Sequence, residues 1–243
     1  MRINGHGHLL PEPHQVPKFM KDKKLFSIDN DKKFMRQGSW SRPITDPSFF
    51  LKEKLEWMEV NNIDRGVILN LSQVYCNGWE RQDAKDAIQW QNDFNASVQH
   101  NNPGKFTCGF VVQPKFMKDA LLEIERCVTK LNLKLLCLPT HYLNDVDEWV
   151  SVADESCNPI YELANKYKLA VEIHPYDGAK MIKLKDQNWR FHLVWMMAQT
   201  ADTLHFYTLN NIPNKYPNMR TAFAHGCMLG QANFGRRVQG FEG

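Results

Sequence analysis

The chain has no run approaching the roughly 20 consecutive apolar residues that cross a bilayer as a helix. Its opening residues, MRINGHGHLL, lack the basic, then apolar, then small-residue order of a secretory signal. The six cysteines (Cys76, Cys108, Cys127, Cys137, Cys157 and Cys227) include no CxxC pair, and several fall inside apolar runs. They therefore read as reduced core thiols, and the cytoplasm is the expected compartment. An excess of charge is missing as well: 30 Lys and Arg face 27 Asp and Glu, a net +3. Nothing in that balance calls for nucleic acid or a membrane surface as partner. Internal repeats and low-complexity tracts are also absent.

What is present is an alternation. Short apolar or β-branched runs recur at Arg2-Ile3-Asn4, 66–71, 106–112, 134–138, 169–173 and 221–224, the pattern of buried parallel strands. Between them, 47–61 places Phe50, Leu51, Leu55 and Met58 on one helical face, and 117–131 does the same with Ala120, Leu121, Ile124, Cys127 and Val128. Residues 84–100, 158–168 and 189–200 are further helix candidates. Strand and helix in turn imply βαβ units, and 243 residues suit a single TIM-type (β/α)8 barrel domain over 1–243. Residues 10–46 break the rhythm, rich in Lys, Asp and Pro, and read as an insertion subdomain after strand 1. Six candidate strands fall short of the eight that close such a barrel, so the expected fold is an α/β barrel truncated after about six strands.

Histidines gather at the strand ends. His6 and His8 follow the first candidate strand, His141 the fourth, His174 ends the fifth in VEIHP, and His225 ends the sixth in AFAHG. The carboxyl ends of parallel strands form the active-site face of such folds, so four strands deliver imidazoles to one rim. In an extended chain residues i and i+2 point the same way, so His6 and His8 are either a ligand pair or two histidines in a tail. With His174 they make the three protein ligands that catalytic zinc takes while leaving a position for water. His225, beside Gly226, is a further ligand, a general base or a core histidine. His141 is either a support for the site or a plain loop residue. His14, His100, His192 and His205 lie in polar or helical contexts and read as structural.

These features resemble the amidohydrolase superfamily, in its branch of metal-dependent non-oxidative decarboxylases. The resemblance sharpens toward the 2-amino-3-carboxymuconate-6-semialdehyde decarboxylase family over HLLPEP (8–13), TDPSFFLKEKLEWME (45–59), LEIERCV (122–128), PTHYLN (139–144), IHPYD (173–177), KYPNMRTAFAHG (215–226) and GRRVQGF (235–241). It implies a distorted barrel with a small insertion subdomain and one divalent metal, usually Zn²⁺. By position it makes His6, His8 and His174 the metal ligands and His225 the residue that acts on the metal's water. The family's remaining ligand is an aspartate from an eighth strand, which this chain stops before. Asn4 stands where the family commonly has an aspartate, and Cys227-Met228-Leu229 replace a glycine-rich run. The family's carboxylate-binding arginine corresponds to Arg42, with Arg36 the alternative, because a guanidinium fork matches a planar carboxylate.

The implied reaction is loss of carbon dioxide from 2-amino-3-carboxymuconate 6-semialdehyde to give 2-aminomuconate semialdehyde, a step of tryptophan catabolism through the kynurenine pathway. The implied partners are a small-molecule carboxylate and a second copy of the chain in a homodimer. The same metal water would serve a hydrolase or hydratase acting on a related lactone or unsaturated dicarboxylate. A third reading is a non-catalytic fragment whose unpaired sheet edges expose apolar surface.

Overall fold

Parallel strands covered on both faces need apolar side chains at nearly every position, and this chain supplies them. The computed structural model of the chain describes residues 1–175 and 194–236, and these divide into two units. His192, the first five residues of the 189–200 helix candidate, Tyr176-Asp177 of IHPYD and most of GRRVQGF lie outside the described residues.

The first unit is Met1–Val111 with Leu131–Leu133. Its elements are β1 (Ile3–His8), α1 (Lys18–Asp22), β2 (Ser27–Ile28), β3 (Phe34–Gln37), β4 (Trp40–Pro43), α2 (Leu51–Val60), β5 (Arg65–Leu69), α3 (Arg81–Asn101) and β6 (Phe106–Val111). β1 runs parallel to β5, with His8 opposite Leu69, and β5 runs parallel to β6, with Gly66 opposite Phe106. β1 is longer than Arg2-Ile3-Asn4, so the His-Gly-His tripeptide is itself strand rather than the segment after it. The helix expected from Pro47 starts later. Pro47–Phe49 forms a 3-10 turn capped by the Asp46 carboxylate, which accepts from Ser48 N–H at 2.9 Å, and Phe50 is extended before α2 begins.

Residues 10–46 hold a three-stranded antiparallel sheet, β2-β3-β4, in addition to α1. Its strands are two to four residues long, too short for a period to register in the sequence. The β3–β4 reversal passes through Gly38 at φ 58°, a left-handed conformation that costs glycine little. Inside the unit, Met20, Phe26, Met35, Ile68 and Phe110 are almost wholly buried.

Two asparagines fasten α3 to β6. The Asn92 amide donates to Val111 O (3.0 Å) and accepts from Val111 N–H (2.8 Å), while Asn95 Nδ2 donates to Gly109 O (2.7 Å).

The second unit is Val112–Lys130 with Lys134–Gly243. It contains α4 (Met117–Thr129), β7 (Leu135–Pro139), the hairpin β8 (His141–Leu143) and β9 (Trp149–Ser151), α5 (Asn158–Lys166), β10 (Ala170–His174), α6 (Met196–Leu209), α7 (Ile212–Lys215), β11 (Arg220–Phe223) and α8 (Met228–Ala232). β10 lies between β7 and β11, parallel to both; His174 sits opposite Pro139 and Ile173 opposite Phe223. All five residues of β7 are buried, and Ile124, Ile160, Tyr161, Val171 and Ile173 pack the core with them. The Tyr161 hydroxyl, fully enclosed, donates to Val152 O at 2.9 Å.

Six parallel strands with intervening helices give the α/β class of a truncated TIM-type barrel, two short of the eight-stranded form among the described residues. No helix among the described residues is long and apolar enough to cross a membrane.

Replacing Asn92 by Ala would strip these bonds from both the N–H and the C=O of buried Val111. We expect a loss of about 2–4 kcal/mol, read as a lower urea midpoint with an unchanged slope. A midpoint within error of the wild type would show that the asparagine does not carry this junction.

Candidate active site

At the end of β1 the strand carries two imidazoles on one side. The His6 and His8 ring centroids are 5.0 Å apart and nearly perpendicular, at 89°. The register with β5 shifts between Asn4 and Gly7, and at this bulge Asn4 Oδ1 accepts from His6 N–H at 3.2 Å. Asn4, where the family commonly has an acid, thus shapes the backbone that presents His6. His8 Nδ1 lies 3.1 Å from Leu69 O. A carbonyl only accepts, so Nδ1 carries the proton and Nε2 the lone pair.

The second unit repeats this arrangement. His174, 3% exposed, places Nδ1 2.8 Å from Pro175 O, which again leaves the lone pair on Nε2. The ring of His225 meets that of His174 edge-on, with centroids 5.0 Å apart at 66°. His225 reaches this position through an unusual turn after β11, in which His225 (φ 55°), Gly226 (φ 63°) and Cys227 (φ 46°) are all left-handed. Two of these three residues have side chains that disfavour that conformation, and such strain concentrates at functional sites. Burial lowers the pKa of His225 below the ordinary histidine value, favouring the neutral imidazole that can take a proton or bind a metal.

Glu172, absent from the residues singled out in the sequence, shares a strand face with His174 two positions on. Burial pushes its carboxyl up to about 7. The available signal was one acid within the apolar run LAVEIH.

His141 opens β8 rather than lying in a loop, and it is 7% exposed. Its Nε2 meets Asp202 Oδ2 on α6 at 3.1 Å. Beside it Thr140 Oγ1 donates to Gln199 Oε1 (3.0 Å), and Thr203 Oγ1 donates to Thr140 O (3.2 Å). Together these contacts tie α6 to the end of β7.

The two candidate arginines differ. Arg36 forms a bidentate pair with Asp29, Nε to Oδ1 at 2.7 Å and Nη2 to Oδ2 at 2.6 Å. That pairing lowers the Asp29 pKa and raises that of Arg36. Arg42 is exposed and makes no ion pair among the described residues. It stands opposite Met35, and hence on that buried residue's face of the small sheet, whereas Arg36 stands opposite Ser41 on the other face. Of the histidines read as structural, His14 and His100 are exposed, and His205 meets Phe206 edge-on along α6.

Parallel strands alternating with helices, with histidines at the carboxyl ends of β1 and β10, define an α/β fold of the TIM-barrel class. The chain belongs to the amidohydrolase family, whose model matches residues 3–242. It is similar to the 2-amino-3-carboxymuconate-6-semialdehyde decarboxylase of Dictyostelium discoideum, with 25% identity over 248 residues that cover 100% of this chain and 67% of the relative. Among solved structures it resembles an amidohydrolase II protein (TM-score 0.72, 17% identity, 96% of this chain and 70% of the other). It also resembles a dihydroxybenzoic acid decarboxylase from Polaromonas with bound manganese and the inhibitor 2-nitroresorcinol (TM-score 0.68, 15% identity, 94% and 66%). The likeness to these two structures is one of fold.

The donor chemistry suits a divalent metal in that family. His8 and His174 each give one ring nitrogen to a backbone carbonyl and keep the other as a lone pair, the arrangement in which metal-binding histidines are held.

Gly226 has no atom within 4 Å of where a Cβ would stand, so the cost of a side chain there is conformational alone. Replacing it by Ala should lower unfolding stability by about 1–2 kcal/mol, measured by urea titration. An unchanged midpoint would mean the turn is not strained.

Proposed function

We propose that the chain is the catalytic barrel of a metal-dependent non-oxidative decarboxylase. The observation that carries this reading is the repeated pairing in the two units: two strand-end imidazoles, one of them fixed through Nδ1, which leaves the lone pair on Nε2. In this reading His6, His8 and His174 hold one divalent ion, for which Zn²⁺ suits an all-nitrogen set. The substrate we assign is 2-amino-3-carboxymuconate 6-semialdehyde, the compound in the name of the full-length Dictyostelium relative. The product is 2-aminomuconate semialdehyde, in the kynurenine route of tryptophan breakdown. We further take 1–243 as one working domain with 10–46 as its insertion, paired as a homodimer. All six cysteines are buried, as reduced thiols in a cytoplasmic protein would be.

When bound, the ion would supply Lewis-acid polarisation and a water acidified toward neutrality. The residues of the chain do the rest. The Arg42 guanidinium, free of a carboxylate partner among the described residues, forks the substrate carboxylate and sets the register of the conjugated chain. The neutral His225 imidazole takes up a proton from solvent and delivers it to the carbon bearing the leaving carboxylate, returning to its neutral form. That proton interrupts the conjugation. The carbon–carbon bond then breaks, carbon dioxide departs, and the electron pair it leaves restores the conjugated system.

Metal analysis and carbon dioxide release test the assignment together. His174→Ala should lose the metal and at least about 100-fold in rate. His225→Ala should keep the metal and lose about 10²–10⁴-fold in rate. Full metal content and turnover in His174→Ala would overturn the ligand assignment. Metal loss in His225→Ala, with metal retained in His8→Ala, would exchange the roles of those two residues. Ring opening of a lactone without carbon dioxide release would replace the decarboxylase by a hydrolase.

A further inference from the structure

Within the first unit, behind the strand end that anchors His8, a cavity of about 20 Å³ lies between β5 and α3. Its walls are mostly apolar, with Leu9, Phe26, Leu71 and Phe94 among them, but three carboxamides also line it: Asn70, directly after β5, and Gln91 and Asn95, on α3. Asn70 is 2% exposed and Gln91 6%. Among the described residues neither the Asn70 amide nor the Gln91 amide finds a hydrogen-bond partner, for its oxygen or for its nitrogen. The neighbouring polar groups are committed elsewhere: Asn95 Nδ2 to Gly109 O (2.7 Å) and Trp90 Nε1 to Gln15 O (3.1 Å).

Four buried amide atoms on two residues that line one small space ask for a ligand that both donates and accepts, because native interiors rarely leave such groups unmatched. The volume limits the choice. A water needs about 10–15 Å³ of such space, so one or two waters fit, whereas an organic ligand does not. Net charge is ruled out by the apolar wall and by the neutrality of both amides.

We propose that this cavity is a built water site, in which ordered water bridges Asn70 and Gln91, and that Asn70 is thereby a positioning residue for His8. The link is covalent and short. The carbonyl that accepts from His8 Nδ1–H belongs to Leu69, so it is part of the peptide joining Leu69 to Asn70. A side chain held to α3 through water fixes the plane of that peptide, and the peptide fixes which nitrogen of His8 keeps its proton. The consequence for metal binding rests on the function proposed above; the water site itself does not.

The test uses the full chain, labelled with ¹⁵N. Side-chain amide signals of Asn70 and Gln91 should show magnetisation transfer from long-lived water, and Asn70→Leu should abolish it at Gln91. The His8 ring should give the Nδ1–H pattern in the wild type and a mixture of tautomers in Asn70→Leu. Asn70→Leu and Gln91→Leu should each lower the melting temperature by about 2–6 °C, with the double variant no lower than the worse single one. Absence of water transfer to either amide, or additive losses in the double variant, would overturn the water bridge. An unchanged His8 pattern in Asn70→Leu would overturn the positioning role. Water transfer in a protein that binds no divalent ion would leave this site standing and remove the proposed function alone.

Discussion

A neutral histidine binds a metal, or accepts a proton, only through the nitrogen that carries no hydrogen. Everything proposed for this chain depends on where those hydrogens sit. At His8 and His174 the choice is made by backbone, by the carbonyls of Leu69 and Pro175. A carbonyl built into a strand end cannot rotate away as a side-chain acceptor can, so ring orientation is inherited from the fold. The strands are therefore the means by which the tautomers are held.

The architecture bears this out at several levels. β1 carries a bulge at the approach to His6, stabilised by Asn4, and bulges commonly re-aim a side chain next to a site. β11 ends in three consecutive left-handed residues that turn His225 against His174. Such conformations persist only where surrounding packing holds them, here with Ala224 before the turn and Cys227 within it both buried. Relatives of this family include decarboxylases, and the chain spans about two thirds of the length of the Dictyostelium relative.

Much of this was legible in the residues, and the reasons separate cleanly. The six parallel strands announced themselves because burial on both faces forces apolar runs such as LLCLP. The helix at 117–129 did so through its 3.6-residue stripe. The small antiparallel sheet in 10–46 did not, since strands of two to four residues carry no period. The delayed start of α2 was hidden because a 3-10 turn and an α-helix share the same sequence signals at Asp46-Pro47. Among the candidate site residues, His6, His8, His174 and His225 stood out by position at strand ends. The choice between Arg36 and Arg42 did not, because the Asp29 pairing that occupies Arg36 depends on a hairpin the sequence leaves unmarked. Nor did Asn70 and Gln91, whose meaning lies in what fails to contact them.

The central claim is that imidazoles, with the lone pair on Nε2, hold a divalent ion in this chain. X-ray absorption at the zinc edge of the metal-loaded protein tests it most directly. The account predicts about three imidazole nitrogens at roughly 2.0–2.1 Å, recognisable by the multiple scattering of their rings, with the remaining positions filled by oxygen. A first shell lacking imidazole, or one containing thiolate sulfur at roughly 2.3 Å, would contradict it.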